Sequence, residues 1–348
     1  KAMSITSSKT IENGTFTAGG ALTYDGNADS TVTETTMTGA SVDITNAGTL
    51  TNGSYTAKTG AMTVTNSGKL SAGKYTAKAG TMDITNHKTI ENAAFTAGGA
   101  LTYDGNADST VTETTMTGAS VGITNAGTFT NGSYTAGGAM TVMNSGKLSA
   151  GKYTAAGTMG ITNEGTIENG AYTSRGDLTY TDSEGASISE SEMTSEEGKA
   201  QITAHGVLLL KKLTAKQSAT VDADHDVTLT EAKAGALGIS SGGSVKADTL
   251  TATAGDASVN AKMDVTIGTL KAEAGGATIE ATDGALGVTT LNAKSLTAKA
   301  GTTLSAKTLD VKEHAELTSG GAMEVTDATV GSVNANAGTT LHVEKLVS

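Results

Sequence analysis

The segment AMTVTNSGKLSAGKYTAKAG, residues 61–80, contains the pattern that decides the fold. Apolar residues alternate with polar ones over a short span at Met62 and Val64, and then stand alone at Leu70 and Tyr75. Alternation places successive side chains on opposite faces, so it indicates β-strands. The Asn and Gly residues between these spans accept positive φ, so we expect tight corners there. The segment therefore predicts short strands joined by tight corners.

The same pattern recurs along the chain. Residues 17–42 reappear unchanged at 96–121, and shorter units follow one another within this long module. One unit buries only about three or four side chains and cannot fold alone, whereas stacked copies bury a continuous interior. Internal repetition therefore indicates a solenoid.

These features predict an all-β protein, a right-handed parallel β-helix (β-solenoid) with about 17 coils of roughly 19–21 residues each. We divide it into ten regular units over residues 2–198 and degenerate units over 199–348, continuous with the first part, with an irregular insertion near 276–301. The chain contains no Pro. This fits the prediction, because interior strands donate every backbone N–H to the next coil and Pro would remove a donor.

Aligned units predict columns of stacked side chains. Each unit has three apolar spans, and the third apolar position is the one that Tyr75 occupies in residues 61–80. The threonine that follows this position should face outward. Stacked asparagines should hydrogen-bond to their copies in adjacent coils. The third apolar position is filled by Phe16, Met37, Tyr55, Tyr75, Phe95, Met116, Tyr134, Tyr153, Tyr172, Met193, Leu213, Leu250, Leu270 and Leu296. The asparagine column at the first corner contains Asn46, Asn66, Asn86, Asn125, Asn144 and Asn163.

Composition excludes several classes of function. The net charge is −12 and Arg175 is the only arginine, which disfavours nucleic-acid binding. The chain has no Cys, hence no disulfide framework or thiolate metal site. No apolar run reaches the ~18 residues of a membrane span, so we expect no membrane insertion. Trp is also absent, and we expect neither an enzyme nor a bound cofactor.

The repeats MTVTNSGKLSAGKYTA (62–77) and MDITNHKTIENAAFTA (82–97) resemble the shafts of filamentous-haemagglutinin-like adhesins, which are exported by two-partner secretion, and of autotransporter adhesins. The resemblance implies a right-handed parallel β-helix outside the cell, at the bacterial surface, with a role in adhesion, biofilms or contact-dependent competition. We expect a rigid spacer that projects an adhesive or effector tip. The alternative is a module that binds a cell-surface glycan or host protein directly.

Neither end of the chain has an obvious cap in the sequence. We therefore expect a segment of a longer fibre, or one that self-associates end to end or laterally.

Arg175, Gly176 and Asp177 form the tripeptide RGD. Alignment places it at a coil corner, where it should be exposed. The family resemblance implies integrin recognition through such a tripeptide as one interpretation, but a chance occurrence at a polar corner is favoured. These three residues are the candidate partner-binding site.

Three further polar clusters have a weaker pattern. In the first cluster, side-chain oxygens at alternate positions resemble the start of a calcium loop, but the remaining ligands of such a loop are missing, so a polar corner is favoured. This cluster is Asp25, Asn27 and Asp29, with its copy Asp104, Asn106 and Asp108. The other two clusters are expected to be solvated loops: Asp222, Asp224, His225 and Asp226, and the acidic stretch Asp182, Glu184, Glu190, Glu192, Glu196 and Glu197.

Overall fold

The computed structural model describes residues 1–348 and contains β-strands without helices. The chain divides into two compact units, Lys1–Ser174 and Arg175–Ser348. Within each unit the strands pair in parallel with those one turn further along. The prediction of an all-β parallel β-helix is confirmed.

The first unit contains 27 short strands. They are β1 Met3–Ser7, β2 Thr10–Glu12, β3 Thr15–Thr17, β4 Leu22–Gly26, β5 Thr31–Thr33, β6 Thr36–Gly39, β7 Val42–Asn46, β8 Thr49–Thr51, β9 Ser54–Ala57, β10 Met62–Asn66, β11 Lys69–Ser71, β12 Lys74–Ala77, β13 Met82–Asn86, β14 Thr89–Glu91, β15 Ala94–Ala97, β16 Leu101–Gly105, β17 Thr110–Thr112, β18 Thr115–Gly118, β19 Val121–Asn125, β20 Thr128–Thr130, β21 Ser133–Ala136, β22 Met140–Asn144, β23 Lys147–Ser149, β24 Lys152–Ala155, β25 Met159–Asn163, β26 Thr166–Glu168 and β27 Ala171–Ser174.

The second unit has longer strands, because some corners no longer interrupt the pairing. They are β28 Leu178–Asp182, β29 Ser187–Ser195, β30 Ala200–Ala204, β31 Val207–Ala215, β32 Ser218–Ala223, β33 Val227–Ala234, β34 Ala236–Ser241, β35 Val245–Ala252, β36 Ala257–Ala261, β37 Val265–Ala281, β38 Leu286–Ala300, β39 Leu304–Ser319, β40 Met323–Ala337 and β41 Leu341–Val347.

Each unit contains nine turns, one more in total than the 17 expected. The extra turn lies where we expected an irregular insertion: Ala257 pairs with Ala277, which pairs with Leu296, at the ordinary spacing. The register shifts between Ala272 and Gly276, at a corner just before this region, and again between Ala293 and Leu296, inside it. The expected irregularity is therefore present, but it consists of unequal corner lengths between paired strands and not of an extra inserted segment.

The third apolar column is confirmed along the first unit, where Tyr55 pairs with Tyr75 and Tyr75 with Phe95. In the second unit the column continues from Leu213 through Ala232 to Leu250 and Leu270. Leu270 then pairs with Leu291, so the assignment of Leu296 to this column is wrong. Leu296 is buried on a neighbouring strand segment and pairs with Ala277. A miscounted corner caused the error.

Aromatic rings stack directly inside the first unit. The ring centroids of Tyr55 and Tyr75 are 4.8 Å apart and those of Tyr75 and Phe95 are 4.6 Å apart. Tyr134 and Tyr153 repeat the arrangement at 4.8 Å. These spacings equal the distance between adjacent strands, so the rings stack at the repeat of the backbone.

The asparagine column forms the expected ladder. Asn46 Nδ2 donates to Asn66 Oδ1 at 2.8 Å, and Asn66 Nδ2 donates to Asn86 Oδ1 at 2.7 Å. Asn86 donates to the Tyr103 hydroxyl at 3.2 Å, because the next strand has Gly105 in the asparagine position. All three ladder amides are fully buried, so these hydrogen bonds replace water that the interior excludes.

One corner of each turn of the first unit has a left-handed backbone conformation. In the first unit it is occupied by Asn13, Glu34, Asn52, Ala72, Asn92, Glu113, Asn131, Ala150 and Asn169, with φ between 48° and 54°. Glycine has positive φ only at Gly185, so our expectation that corner glycines supply positive φ is wrong. Several of them instead allow close packing: a methyl group at Gly68 would collide with the carbonyl oxygen of Gly48 in the preceding turn.

Candidate functional site

The RGD tripeptide lies at a bend, as expected, with Arg175 and Asp177 exposed and Gly176 partly buried. The following turn fixes its backbone. Ser195 Oγ donates to the Gly176 carbonyl at 2.8 Å, and the Glu197 N–H donates to the Arg175 carbonyl at 2.9 Å. The corner therefore holds its two charged side chains on a rigid support.

Both charged groups of the tripeptide have partners within the protein. Arg175 Nε lies 3.0 Å from Glu197 Oε1, and each of these side chains is 62% exposed. Asp177 Oδ1 accepts the N–H of Lys199 at 2.9 Å. An exposed ion pair contributes little to stability, about 0–1 kcal/mol, so a partner could displace Glu197 at small cost. A partner that displaced the Lys199 N–H from Asp177 would leave this corner without its side-chain hydrogen bond.

The hydrogen bond that Asp177 accepts from a backbone N–H of the next turn recurs at other corners, and the sequence analysis missed it. Asp226 Oδ1 accepts the Ser244 N–H at 2.7 Å, and Asp256 and Asp264 accept the N–H groups of Gly276 and Ala285, both at 2.8 Å. Each aspartate lies directly before a strand and contacts the next turn. The sequence signal is an Asp followed by an inward apolar residue, and it assigns Asp177 a structural role in addition to any binding role.

The acidic stretch has one member that is not solvated. Asp182 is 4% exposed, and its Oδ1 accepts the N–H groups of His205 and Gly206 at 2.6 and 3.1 Å. The hydroxyl of Tyr180 donates to Oδ2 at 2.9 Å. Our expectation of a solvated loop is therefore wrong for Asp182, whose carboxylate satisfies buried donors of the next turn. Glu192 and Glu197 are exposed ion-pair partners of Lys211 and Arg175.

Each of the two calcium-like loops contains an internal hydrogen bond from a backbone N–H to an asparagine side chain. Asn27 Oδ1 accepts the N–H of Asp29 at 3.1 Å, and Asn106 Oδ1 does the same for Asp108 at 3.1 Å. These are Asx turns, in which the side-chain oxygen stabilises the corner. This geometry agrees with the prediction that both copies are polar corners.

The residues around His225 do not converge on one point. Asp224 Oδ2 lies 2.7 Å from His205 Nδ1 on the preceding turn, while Asp226 accepts the Ser244 N–H. The hydrogen bond to Asp224 raises the pKa of the exposed His205. No group of three or more His, Cys, Asp or Glu side chains has the proximity to hold a metal ion.

A groove of about 640 Å³ lies on the second unit, beside the corner that a single glycine, Gly235, makes between β33 and β34. Its lining includes Lys212, Lys216 and Lys233 together with Glu196 and Glu231. The lining thus mixes both signs of charge on a surface that is open to solvent. Sequence reasoning did not predict this groove. The corners beside it differ in length, with one residue between β33 and β34 and four residues between β35 and β36.

The expected outer threonine column is present. Thr56 pairs with Thr76, which pairs with Thr96, and all three lie on the solvent side of the strand. The residue two positions earlier on the same face changes from Ser54 to Lys74 between these turns. The face therefore offers no uniform chemistry from one turn to the next.

Comparison with protein-family models, with curated protein sequences and with solved structures gave no match. The chain provides no helical segment that could span a membrane.

Proposed function

We propose that the chain is a structural shaft of a secreted bacterial cell-surface adhesin or fibre, a rigid spacer that projects an adhesive or effector tip. The observation that supports this most is the pairing within each unit: strands pair in register with their counterparts one turn along, as Met62 does with Met82. Repetition of one unit therefore adds length in equal steps.

The ladder sets the size of those steps. Adjacent strands are ~4.8 Å apart, so nine turns give each unit a stack of roughly 40 Å. Stretching such a stack breaks backbone hydrogen bonds in every strand of a turn together. A narrow buried interior of stacked Tyr, Met, Leu and Ile side chains supports the ladder from within. Rigidity in this design comes from the backbone and is independent of the outer residues.

The outer surface suits a shaft that remains separate from its neighbours. Ion pairs connect adjacent turns, as between Lys69 and Glu91 at 2.6 Å and between Lys147 and Glu168 at 2.9 Å. The net charge of −12 opposes lateral fusion of the flat faces.

Module number tests the spacer directly. Residues 17–95 form one long module of four turns, and Phe16 and Phe95 precede identical segments, so the module can be duplicated or deleted without a new junction. The length of the first unit, measured in electron micrographs of the chain, should rise or fall by about 19 Å, four strand spacings. An unchanged dimension would contradict the spacer. Attachment of cells that display the chain should follow the length of the shaft.

The second candidate is direct binding of a host protein or cell-surface glycan, through the corner Arg175–Gly176–Asp177 or an exposed face. It is favoured by the exposure of Arg175 and Asp177 on a rigid bend and by the lysine-lined groove of the second unit. A glycan array probed with the purified chain tests the faces. Specific retention of one glycan class would favour this function, and uniform silence would favour the spacer.

A further inference from the structure

The left-handed corner of the first unit contains asparagine in five of its nine turns. Three of these asparagines are followed by glycine and then by a hydroxyl residue: Asn13-Gly14-Thr15, Asn52-Gly53-Ser54 and Asn131-Gly132-Ser133. Asn-x-Ser/Thr is the acceptor pattern for N-linked glycans. The three copies share one backbone conformation, with φ of 53°, 54° and 54°.

The fold presents this pattern outward. Gly53 is buried, and a methyl group there would collide with the ring and hydroxyl of Tyr55; Gly14 is close to Phe16 in the same way. Asn52 and Ser54, on either side of the glycine, lie on the outer surface. The amide and the hydroxyl are therefore both accessible at a corner, where a transferase could approach without unfolding a strand.

We propose that Asn13, Asn52 and Asn131 are acceptor sites for N-linked glycosylation. The donor is a sugar activated by a diphosphate at C1, carried on a nucleotide or a lipid. A bond forms between Asn Nδ2 and C1 of the sugar while the bond from C1 to the diphosphate oxygen breaks. The diphosphate carrier leaves with the bonding electrons, and the amide proton passes to a base of the transferase.

The chain contains its own matched controls. Asn92 and Asn169 occupy the same corner, both with φ of 51°, but have Ala94 and Ala171 where the acceptor sites have a hydroxyl. Exposure and conformation are thus shared. Asn169 differs from the acceptor sites only in the missing hydroxyl, whereas Asn92 also has Ala93 in place of the glycine. Modification confined to the three hydroxyl-bearing corners would separate sequence-specific transfer from general reactivity of an exposed asparagine.

The test is intact-mass measurement and peptide mapping of the full chain isolated from the cells that naturally make it. Peptides containing Asn13, Asn52 and Asn131 should show a sugar mass increment, and those containing Asn92 and Asn169 should not. The size and composition of the mass increment distinguish the two donors. A single sugar indicates a nucleotide-linked donor, and a preassembled oligosaccharide indicates a lipid-linked donor. Unmodified peptides at all three sites would overturn the proposal.

Two substitutions sharpen the result. Ser54→Ala should abolish modification at Asn52 and leave Asn13 and Asn131 unchanged, while Ala94→Thr should create a new modified site at Asn92. Circular dichroism verifies that both variants keep the fold. Sugar on Asn52 in Ser54→Ala, or no sugar on Asn92 in Ala94→Thr, would overturn the assignment of these corners as sequence-specific acceptors.

Discussion

Gly73 lies against the ring of Tyr75, and a methyl group at Gly73 would come within 2.7 Å of Tyr75 Cε2. The residue two positions before the stacked side chain varies along the column. It is glycine before every tyrosine of the column, but alanine, Ala93, before Phe95 and threonine, Thr35, before Met37. The edge of the tyrosine ring and its hydroxyl thus occupy the space that a β-carbon fills in these other turns, and the ring edge of Phe16 lies against Gly14 in the same way.

This packing predicts that Gly73→Ala lowers the free energy of unfolding by about 1–3 kcal/mol, because the new methyl group overpacks the turn. The backbone is not the cause, since Gly73 does not have positive φ. Chemical denaturation of the variant and the parent measures the difference.

The control reproduces a pair that the chain already contains. Gly73→Ala combined with Tyr75→Phe recreates Ala93 and Phe95 one turn earlier, and should restore stability to within about 1 kcal/mol of the parent. The hydroxyl removed from Tyr75 is buried without a hydrogen-bond partner, so its loss adds little penalty. A double variant as unstable as Gly73→Ala would refute this explanation.

The asparagine ladder predicts a large effect at an inward position. Asn66→Ala removes the donor to Asn86 and the acceptor for Asn46, both buried, and should cost about 3 kcal/mol of unfolding free energy. Asn92→Ala is the matched control, because Ala72 occupies the same left-handed corner one turn earlier with φ of 50°. It should cost less than about 1 kcal/mol, because Asn92 is exposed and alanine already adopts this conformation at two equivalent corners. Equal costs at the two positions would argue against the ladder.

Burial of tyrosine predicts loss of stability in alkali. Burial raises the pKa of Tyr75 and Tyr153 well above the ordinary value and raises that of Tyr103 to about 12. An unfolded tyrosine titrates near pH ~10, so above that pH the unfolded chain releases protons that the folded chain retains. Stability should be constant below about pH 9 and then fall by up to ~1.4 kcal/mol per pH unit for each such tyrosine.

Denaturation midpoints between about pH 8 and 11 measure this effect, and phenolate absorbance reports whether ionisation accompanies unfolding. Tyr153→Phe should make the fall of the unfolding free energy with pH shallower by the contribution of one tyrosine, up to ~1.4 kcal/mol per pH unit. A flat profile, or phenolate formation in the folded chain, would contradict complete burial of the column.

The RGD corner can be tested with substitutions that separate binding from stability. Arg175→Ala removes only an exposed ion pair with Glu197, so the unfolding free energy should change by less than about 1 kcal/mol. Asp177→Ala removes the acceptor for the Lys199 N–H and should cost about 1 kcal/mol. If the shaft is a spacer, host-cell attachment stays the same in both variants. Loss of attachment in Arg175→Ala, with stability unchanged, would favour direct binding.

Much of the fold could be predicted because alternation and repetition are local. Inward positions such as Val64 and Tyr75 are read from their neighbours alone, and the period then fixes which turns stack. Corner lengths are different, since nothing local marks how many residues the corner after Ala272 contains. One such error displaced Leu296 from its column and removed a turn from the count.

Side-chain exchange between turns was also beyond sequence reasoning. The Tyr103 hydroxyl takes the place of an asparagine amide, which explains why Gly105 interrupts the asparagine column. Asp182 is an acidic residue in an acidic stretch, yet it is buried because two backbone donors of the next turn converge on it. These roles depend on contacts between one turn and the next, which composition and local pattern do not encode.

Crosslinking between turns tests the central claim, that each repeat unit adds one turn in register. The parent chain has no Cys, so two introduced thiols are the only reactive pair. Thr56 and Thr76 are direct partners, and Thr96 lies one turn beyond Thr76. A short bifunctional thiol reagent should link Thr56→Cys with Thr76→Cys efficiently and link Thr56→Cys with Thr96→Cys far less, since these are two strand spacings or ~10 Å apart. Equal linkage in both pairs, or linkage in neither, would contradict the stacked solenoid.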